Sequence, residues 1–182
     1  MKIRKAIASD APGISQVRVS SWQTSYAGIL PAKYLSSLDS TGQLGEWQAE
    51  LAHPDPTRPV YVAENGNQTL IGYAAGGPER NGDAVFRSEL YAVYLLENKQ
   101  HQGIGRQLVH AVAVELAQAG FSSMLLWTLA ANPARSFYEK LGGELVDQKE
   151  VEIGGSIYTE VSYGWRDIHQ LIEVVAAPAV GD

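Results

Sequence analysis

Apolar residues recur along this chain with two different spacings, one typical of strands and one typical of helices. Short apolar runs bounded by Gly, Pro, Asn or Asp predict strands, and apolar residues three or four positions apart predict amphipathic helices. In the first half of the chain, Ile14 and Val17 follow Asp10 at helical spacing, so Asp10 is expected to cap a helix. The elements predicted for this half are a strand at 2–8, a helix at 11–21, two short helical segments ending near residue 52, a proline-containing loop at 53–59, and two strands at 60–64 and 70–75 joined by a tight turn.

The second half contains a long apolar run at residues 90–96, and we expect it to form a strand that is buried on both faces. A glycine-containing segment follows, and then a helix in which Ile104, Leu108 and Val112 share one stripe and which ends at Gly120. The remaining predicted elements are a strand at 123–128, a short helix that opens at 132–133, and two strands at 144–153 and 156–165 that turn at 154–155.

This order of elements predicts an α/β (α+β) domain with a single mixed, mostly antiparallel sheet and helices on both faces. The chain has 182 residues, which fits one domain of ordinary size. We expect that domain to span residues 1–168 and to be followed by a C-terminal tail at 169–182, whose last residues are small.

The composition excludes several kinds of chemistry. The chain has no cysteine, which removes disulfides, thiolate metal ligands and a cysteine nucleophile. No Gly-x-Ser-x-Gly motif supports a serine nucleophile. Its four histidines show no metal-ligand spacing, so no bound metal is expected; they are His53, His101, His110 and His169.

The charge and the apolar runs bear on partners and location. A formal net charge of −6 argues against a protein that wraps nucleic acid, and it is mildly favourable to a cationic ligand. No apolar run approaches the ~18 residues needed to span a bilayer, and the basic N-terminus has no apolar run behind it. We therefore expect a cytoplasmic protein with neither nucleic-acid nor membrane partners.

The segment between the long strand and the long helix has the features of a phosphate-binding loop. A helix N-terminus offers unpaired N–H groups and the positive end of the macrodipole, and the glycines Gly103 and Gly105 let a backbone approach a pyrophosphate closely. A dinucleotide fingerprint would need a glycine at Leu108, and an ATP-type loop would need Gly-Lys-Ser/Thr, so neither NAD nor ATP is expected. A tight strand-to-helix turn that merely uses glycine is the alternative.

Two spaced motifs carry a resemblance to a known family. Gln-x-x-Gly-x-Gly, at residues 100–105, resembles the coenzyme-A pyrophosphate loop of the GNAT superfamily of N-acetyltransferases. Residues 132–138, Asn-Pro-Ala-Arg-Ser-Phe-Tyr, resemble the Asn-x-x-Ala-x-x-x-Tyr helix of that superfamily, with the tyrosine one position early. The segment 21–31 is similar to the acceptor-side helices of many bacterial members. Glu97 and His101 depart from the usual proline and glycine, and neither change removes a backbone donor from the loop.

The resemblance, which covers residues 1–165, implies a GNAT-like fold that binds acetyl-coenzyme A along the central strand. A splay of the sheet would free a backbone N–H at Leu95 to polarise the thioester carbonyl. Asn132 would contact the pantetheine arm, begin the following helix, or do both, since the two roles are compatible. Backbone groups of Val93, Tyr94 and Leu95 would bind the pantetheine arm, and Gln100, Gln102, Gly103, Ile104, Gly105 and Arg106 would hold the pyrophosphate.

The resemblance also implies catalytic and acceptor-binding roles. Tyr138 would donate a proton to the departing thiolate, because a phenol with a pKa near ~10 is protonated at neutral pH. Glu89 would act as general base, although a water chain could take that role and Glu89 could be an exposed residue at the strand end. Trp22, Tyr26 and Tyr73 would line the acceptor pocket, or would be ordinary core and rim residues.

The expected function is transfer of the acetyl group of acetyl-coenzyme A directly onto a primary amine of a small molecule or protein. Two alternatives stay open: a non-catalytic module that binds or senses acyl-coenzyme A, and an α/β module for another phosphate ligand. The acceptor is open among polyamines, aminoglycosides, amino acids and protein amines. The chain is also expected to be able to pair with a second copy of itself, since homodimers are frequent in such proteins.

Overall fold

The computed structural model describes residues 1–176, which form one seven-stranded sheet with helices packed on both faces. The strands are β1 (Lys2–Lys5), β2 (Val60–Glu64), β3 (Leu70–Pro78), β4 (Ser88–Leu95), β5 (Met124–Leu129), β6 (Glu144–Ile153) and β7 (Ser156–Trp165). The helices are α1 (Ala11–Ser25), α2 (Ala32–Ser37), α3 (Leu44–Ala52), α4 (Ile104–Gln118), α5 (Arg135–Lys140) and α6 (Ile168–Ala176).

The strand order is β1-β2-β3-β4-β5-β7-β6, and every neighbouring pair is antiparallel except β4 and β5. The parallel pair is joined through α4, which is the usual way to return the chain to the same end of a sheet. The predicted mixed, mostly antiparallel sheet is therefore confirmed.

Alternate residues of the central strands contact opposite layers of helices, as the twofold repeat of a strand requires. In β3, Ala74 belongs to a core shared with α4, whereas Tyr73 and Ala75 belong to a second core shared with α1 and α3. Gly76 lets α4 approach the sheet closely, because a Cβ at this position would lie 2.8 Å from Val112. The site described below lies between these two layers.

Strands β4 and β5 separate soon after they meet. They pair only at Ser88 with Met124 and at Glu89 with Leu125, although both strands continue for several more residues. A register shift on the β3 side leaves Tyr91 without a partner, which is the arrangement of a β-bulge and increases local twist. The expected splay of the sheet is present, and it opens a gap between the two strands.

The gap changes the burial of the central strand. We expected residues 90–96 to be buried on both faces, but only Ser88 to Leu90 are fully buried, and residues 91–95 are half-buried. The reason is that β5 no longer covers the edge of β4 beyond Glu89. An apolar run is thus used here to border a cleft.

The start of α1 also differs in detail from the prediction. Asp10 does precede the helix, but its carboxylate makes no capping bond to α1. It accepts instead from the Ile7 N–H at 2.8 Å and from the Arg4 guanidinium at 2.6 and 2.9 Å. The ion pair and the preceding turn therefore use the oxygens that were expected to cap the helix.

Residues 169–176, which the sequence placed in a C-terminal tail, belong to helix α6. Ile168, Leu171 and Val175 are spaced for one helical face and are buried against α4. Burying such side chains contributes roughly 1.5–3 kcal/mol each before entropic costs. The packed domain therefore extends at least to Ala176, and the expected small residues at 177–182 lie outside the described residues.

Candidate active site

The loop between β4 and α4 presents backbone N–H groups at a helix start. His101 and Gly103 have φ of 58° and 76°, so the chain turns twice through the left-handed region before α4 begins. Gln107 donates to the Gly103 carbonyl at 3.2 Å, so the amides of residues 104–106 precede the first helical hydrogen bond. A Cβ on Gly103 would meet no atom within 4 Å, which means that the space beside this loop is open. Unpaired amides, left-handed turns and open space are the features of main-chain anion sites.

The polar side chains of the loop contact main-chain carbonyls of the protein itself. Gln100 Nε2 lies 3.4 Å from the Leu95 carbonyl, and Gln102 Nε2 donates to the Asn98 carbonyl at 3.1 Å. The Arg106 guanidinium donates to the carbonyls of Val174 and Val175, the latter at 2.9 Å. The Arg106 side chain therefore binds the last turn of α6, and its backbone amide is the group that faces the start of α4.

The backbone of β4 faces the gap at alternate residues. Leu96 N–H donates to the Ile71 carbonyl at 3.0 Å, and hydrogen-bonded and non-bonded pairs alternate along an antiparallel ladder. Leu96 and Ile71 form a hydrogen-bonded pair, so two residues earlier Tyr94 and Tyr73 form the next one. The amides of Val93 and Leu95, which lie between these pairs, point away from β3 into the gap. The backbone role expected of Tyr94 is thus corrected, and Val93 and Leu95 keep free donors.

Leu95 lies at the junction of three elements. Its carbonyl accepts from the Ser21 hydroxyl of α1 at 3.0 Å, and its side chain would be 3.3 Å from a Cβ placed on Gly105. The same added Cβ would be 3.5 Å from Phe137 of α5. Gly105 therefore serves the close packing of α4 against β4 and α5, which sets the phosphate loop beside Leu95.

Tyr138 is buried on the inner face of α5, between Phe137 and Tyr163, whose ring centroids lie 5.4 and 6.0 Å away. Among residues 1–176 its hydroxyl has no hydrogen-bond partner. Burial, followed by the nearby phenol of Tyr94, raises the pKa of Tyr138 above its usual value. The group consequently holds its proton throughout the neutral range.

Asn132 links α5 to the acceptor side of the gap. Its Oδ1 accepts from the Ala134 N–H at 2.9 Å, and its Nδ2 donates to the Thr128 hydroxyl at 2.9 Å and contacts the Tyr26 hydroxyl at 3.4 Å. The helix expected to open at 132–133 begins instead at Arg135 with Ala134 as its N-cap, and the bond from Ala134 to Asn132 belongs to the turn before it. A contact with pantetheine would have to share or replace these contacts of Asn132.

A cavity of about 380 Å³ occupies the gap between β4 and β5. Its walls come from α1, the β3–β4 loop, both splayed strands and the β6–β7 hairpin. The lining residues are Trp22, Tyr26, Arg80, Asn81, Glu89, Tyr91, Tyr94, Trp127, Thr128, Leu129, Lys149, Ile153 and Glu160.

Glu89 lies at the closed end of this cavity, where β4 and β5 still pair. Its side chain is 1% exposed, and both oxygens accept from Arg80, with Arg80 Nε at 3.0 Å. The Arg80 guanidinium in turn lies over the Tyr91 ring, 4.4 Å from its centroid. Glu89 is therefore a buried member of an ion pair rather than the exposed strand-end residue that was the alternative.

Lys149 and Glu160 form a second charge pair on the opposite wall. Lys149 Nζ lies 3.8 Å from a Glu160 oxygen and 3.9 Å from the centroid of the Trp127 ring. Burial mainly raises the pKa of Tyr26 and of Tyr94, and the negative charge of Glu160 adds to both increases. Glu160 lines the same cavity as these two phenols.

The three residues predicted to bind the acceptor have different positions. Trp22 and Tyr26 line the cavity, with their rings 5.0 Å apart. Tyr73 is 1% exposed and packs in the core against Trp47 and Tyr94, so the expectation that it contacts the acceptor is corrected. Its cross-strand partner Tyr94 reaches the cavity instead.

Sequence reasoning missed three of the four charged residues that line the cavity, Arg80, Lys149 and Glu160. Lys149 and Glu160 are cross-strand partners in β6 and β7. Once the turn is placed at 154–155, the residues opposite each other in the hairpin follow from their distance to the turn, and this pair is one of them. Their approach to Trp127 depends on β5 pairing with β7, and no local pattern indicates that pairing. Arg80 had no signal beyond its position in a polar turn.

Residues 1–176 contain neither a cluster of metal-ligating side chains nor a membrane-spanning helix. No group of three or more His, Cys, Asp or Glu side chains in this range is arranged to hold a metal ion. Within the same range, no helix combines the length and the apolar character that crossing a bilayer requires.

Residues 83–151 match a family model described as FR47-like protein. The chain is 37% identical over 169 residues to an uncharacterised N-acetyltransferase of Bacillus subtilis, covering 93% of this chain and 95% of the relative.

Solved structures share the same fold. The PaiA N-acetyltransferase from Thermoplasma acidophilum, in complex with coenzyme A, superposes with a TM-score of 0.65 at 25% identity, covering 87% of this chain and 96% of that one. A GNAT superfamily phosphinothricin acetyltransferase from Sinorhizobium meliloti, in complex with acetyl-CoA, has a TM-score of 0.68 at 20% identity, covering 90% and 86%.

Proposed function

Because this chain belongs to the GNAT superfamily of N-acetyltransferases, we propose that it transfers the acetyl group of acetyl-CoA directly to a primary amine held between β4 and β5. Relatives named as N-acetyltransferases support catalysis rather than a module that only binds or senses acyl-coenzyme A. We further propose that the protein acts in the cytoplasm, as its composition led us to expect.

One observation carries the proposal. The free amides of Val93 and Leu95 lie between an open anion loop on one side and a polar cavity on the other. A ligand with a phosphate end and a reactive end can therefore lie along β4, with its reactive end facing an acceptor in the cavity.

The residues present fit acetyl-CoA. When bound, acetyl-CoA supplies an activated acetyl thioester. The amides at the start of α4, from Gly103 to Arg106, hold its pyrophosphate, and the positive end of the helix dipole favours that charge. The main chain of β4 holds the arm that follows.

We assign the amide that polarises the thioester carbonyl to Val93. Leu95 lies against the phosphate loop, since Gln100 and Gly105 both reach it. Val93 is two residues, or roughly 7 Å, further toward the cavity, and its N–H faces the same gap. The N–H at Leu95, expected to polarise the carbonyl, is then the donor that positions the arm, while Val93 stabilises developing negative charge.

Tyr138 is the proton donor to the leaving thiolate. Its raised pKa keeps the phenol protonated, and its place on α5 beside the phosphate loop puts it on the leaving-group side of β4. Asn132 fixes the start of this helix through its bond to Ala134.

Glu160 is a better general base than Glu89. Both Glu89 oxygens are occupied by Arg80, and Glu89 lies four residues, or roughly 13 Å, from Val93 along the strand. Glu160 is the cross-strand partner of Leu129 and lines the cavity together with Tyr26 and Tyr94. It is placed to hold the ammonium and take its proton, directly or through a water.

The test of this function is release of coenzyme A thiol from acetyl-CoA, measured against a panel of amines. Turnover on at least one amine, with acetylated product detected by mass spectrometry, is the expected result. Binding of coenzyme A without turnover on any amine would support the non-catalytic alternative, and calorimetry with ATP and NAD tests the remaining phosphate ligands.

A further inference from the structure

The walls of the acceptor cavity are rich in hydrogen-bond donors. The Nε and Nη2 atoms of Arg80 each donate a hydrogen bond to Glu89. A guanidinium has five N–H groups, so three of them are not used in this ion pair. Within residues 1–176, the Lys149 ammonium is held by an ion pair at 3.8 Å and by the Trp127 ring. Asn81 adds an amide to the same wall.

Two indole N–H groups in the same walls lack acceptors. Nε1 of Trp22 and Nε1 of Trp127 are buried and have no hydrogen-bond partner among residues 1–176. The Trp22 nitrogen lies near the Tyr94 hydroxyl without reaching hydrogen-bond geometry. Buried donors without acceptors are costly and uncommon in native proteins. Their presence in a substrate cavity indicates a ligand that brings acceptor atoms.

The negative charges of the cavity are already compensated. Glu89 is paired with Arg80, and Glu160 is paired with Lys149. A polyamine or an aminoglycoside could displace Lys149 from Glu160, but it carries no carboxylate to become the new partner of Lys149. Such ligands would also face Arg80 and Lys149 directly, and like charges at close range are unfavourable.

The charges are ordered along the cavity. Glu160 lines the cavity level with Leu129, four residues along β5 from Leu125, the partner of Glu89. Lys149 extends from the same level back over Trp127, and Arg80 closes the end at Glu89. An ammonium at Glu160 would therefore have a cation within a few ångströms of the adjoining atoms of the same molecule, since Lys149 is 3.8 Å from Glu160.

Building on the acetyl transfer proposed above, we propose that the acceptor is a small amino acid, an amine whose own carboxylate binds Lys149. The ammonium replaces Lys149 as the partner of Glu160, and the carboxylate becomes the new partner of Lys149 and of the Trp127 N–H. Arg80 and Asn81 contact the part of the molecule that extends toward the end of the cavity. The cavity volume of about 380 Å³ suits a molecule of this size.

The experiment compares matched acceptors that differ only in the carboxylate. Each L-amino acid is assayed beside its carboxamide and beside the amine that lacks the carboxylate altogether, with spermidine and kanamycin as polycationic acceptors. We expect kcat/KM to be at least tenfold higher for the amino acid than for either matched compound. Equal or faster turnover of the carboxylate-free amines, or of the polycations, would overturn the inference while leaving acetyl transfer intact.

A variant assigns the effect to Lys149. Lys149→Met keeps an unbranched apolar stem and removes the ammonium, and Lys2→Met makes the same change at the opposite edge of the sheet. Lys149→Met should raise KM for amino acids about tenfold and leave the carboxamides unaffected, while Lys2→Met changes neither. An equal effect of Lys149→Met on acids and carboxamides would overturn the inference. If no amine released coenzyme A thiol, the acetyl-transfer proposal would fall together with it.

Discussion

The phosphate loop can be tested by a pair of substitutions that differ only in charge. Gly103 has φ of 76° and open space where a Cβ would be, so Asn and Asp can both be introduced there. These two residues tolerate the left-handed region better than other side chains, and they are nearly equal in size. Any strain in the loop is therefore common to Gly103→Asn and Gly103→Asp, and it cancels in the comparison.

The magnitude follows from the geometry. A carboxylate on Gly103 would stand beside the amides of residues 104–106, where the pyrophosphate is proposed to bind. Two unit charges 4 Å apart repel by about 1 kcal/mol in water and by about 4 kcal/mol near a protein surface. For this open loop we take about 1.5–3 kcal/mol, which is roughly a ten- to hundredfold increase in Kd for coenzyme A.

Calorimetry of coenzyme A binding to both variants measures this difference. It should shrink as salt is raised, because the Debye length falls from about 10 Å at 0.1 M to about 3 Å at 1 M. Gly82 provides the control, since it has φ of 78°, equally open space, and a position beyond the opposite end of β4. Equal Kd values for Gly103→Asn and Gly103→Asp would refute the reasoning, and so would an equally large difference between the Gly82 variants.

The remaining predictions concern catalysis and stability. Tyr138→Phe should lower kcat about a hundredfold with unchanged Kd for coenzyme A, and unchanged kcat would remove the proton-donor role. Because burial raises the pKa of Tyr138, the wild-type enzyme should not lose activity through this group below the ordinary phenol pKa of about 10, which a pH profile of kcat checks. Glu160→Gln should lower kcat at neutral pH by a larger factor than Glu89→Gln does, and the opposite order would return the base to Glu89. Leu171→Ala should lower the free energy of unfolding by about 2–5 kcal/mol, measured in urea, and a change below 1 kcal/mol would show that α6 is not packed on α4.

The elements that the sequence predicted well are those with strong local signals. The strands at 144–153 and 156–165 match β6 and β7, because Gly154 and Gly155 take positive φ in the turn between them. Gly120, with φ of 93°, ends α4 as expected. Such glycines carry their information within a few residues, so no tertiary knowledge is needed to use them.

The parts of the site that were missed depend on contacts distant in sequence. Tyr73 and Tyr94 are cross-strand partners, and only the position of Trp47 shows which of them is covered. Arg106 follows two glycines, as a phosphate-binding residue often does. Its guanidinium donates instead to main-chain carbonyls of α6, which packs beside α4. Helix α6 itself had a readable apolar spacing, at Ile168, Leu171 and Val175, which the small residues after it obscured.

The most direct test of the account is a crystal structure of the protein with acetyl-CoA bound. It should show the pyrophosphate within hydrogen-bond distance of the amides from Gly103 to Arg106, and the thioester carbonyl accepting from the Val93 N–H in the gap between β4 and β5. A complex with the pyrophosphate away from the start of α4, or with the thioester outside that gap, would contradict the account.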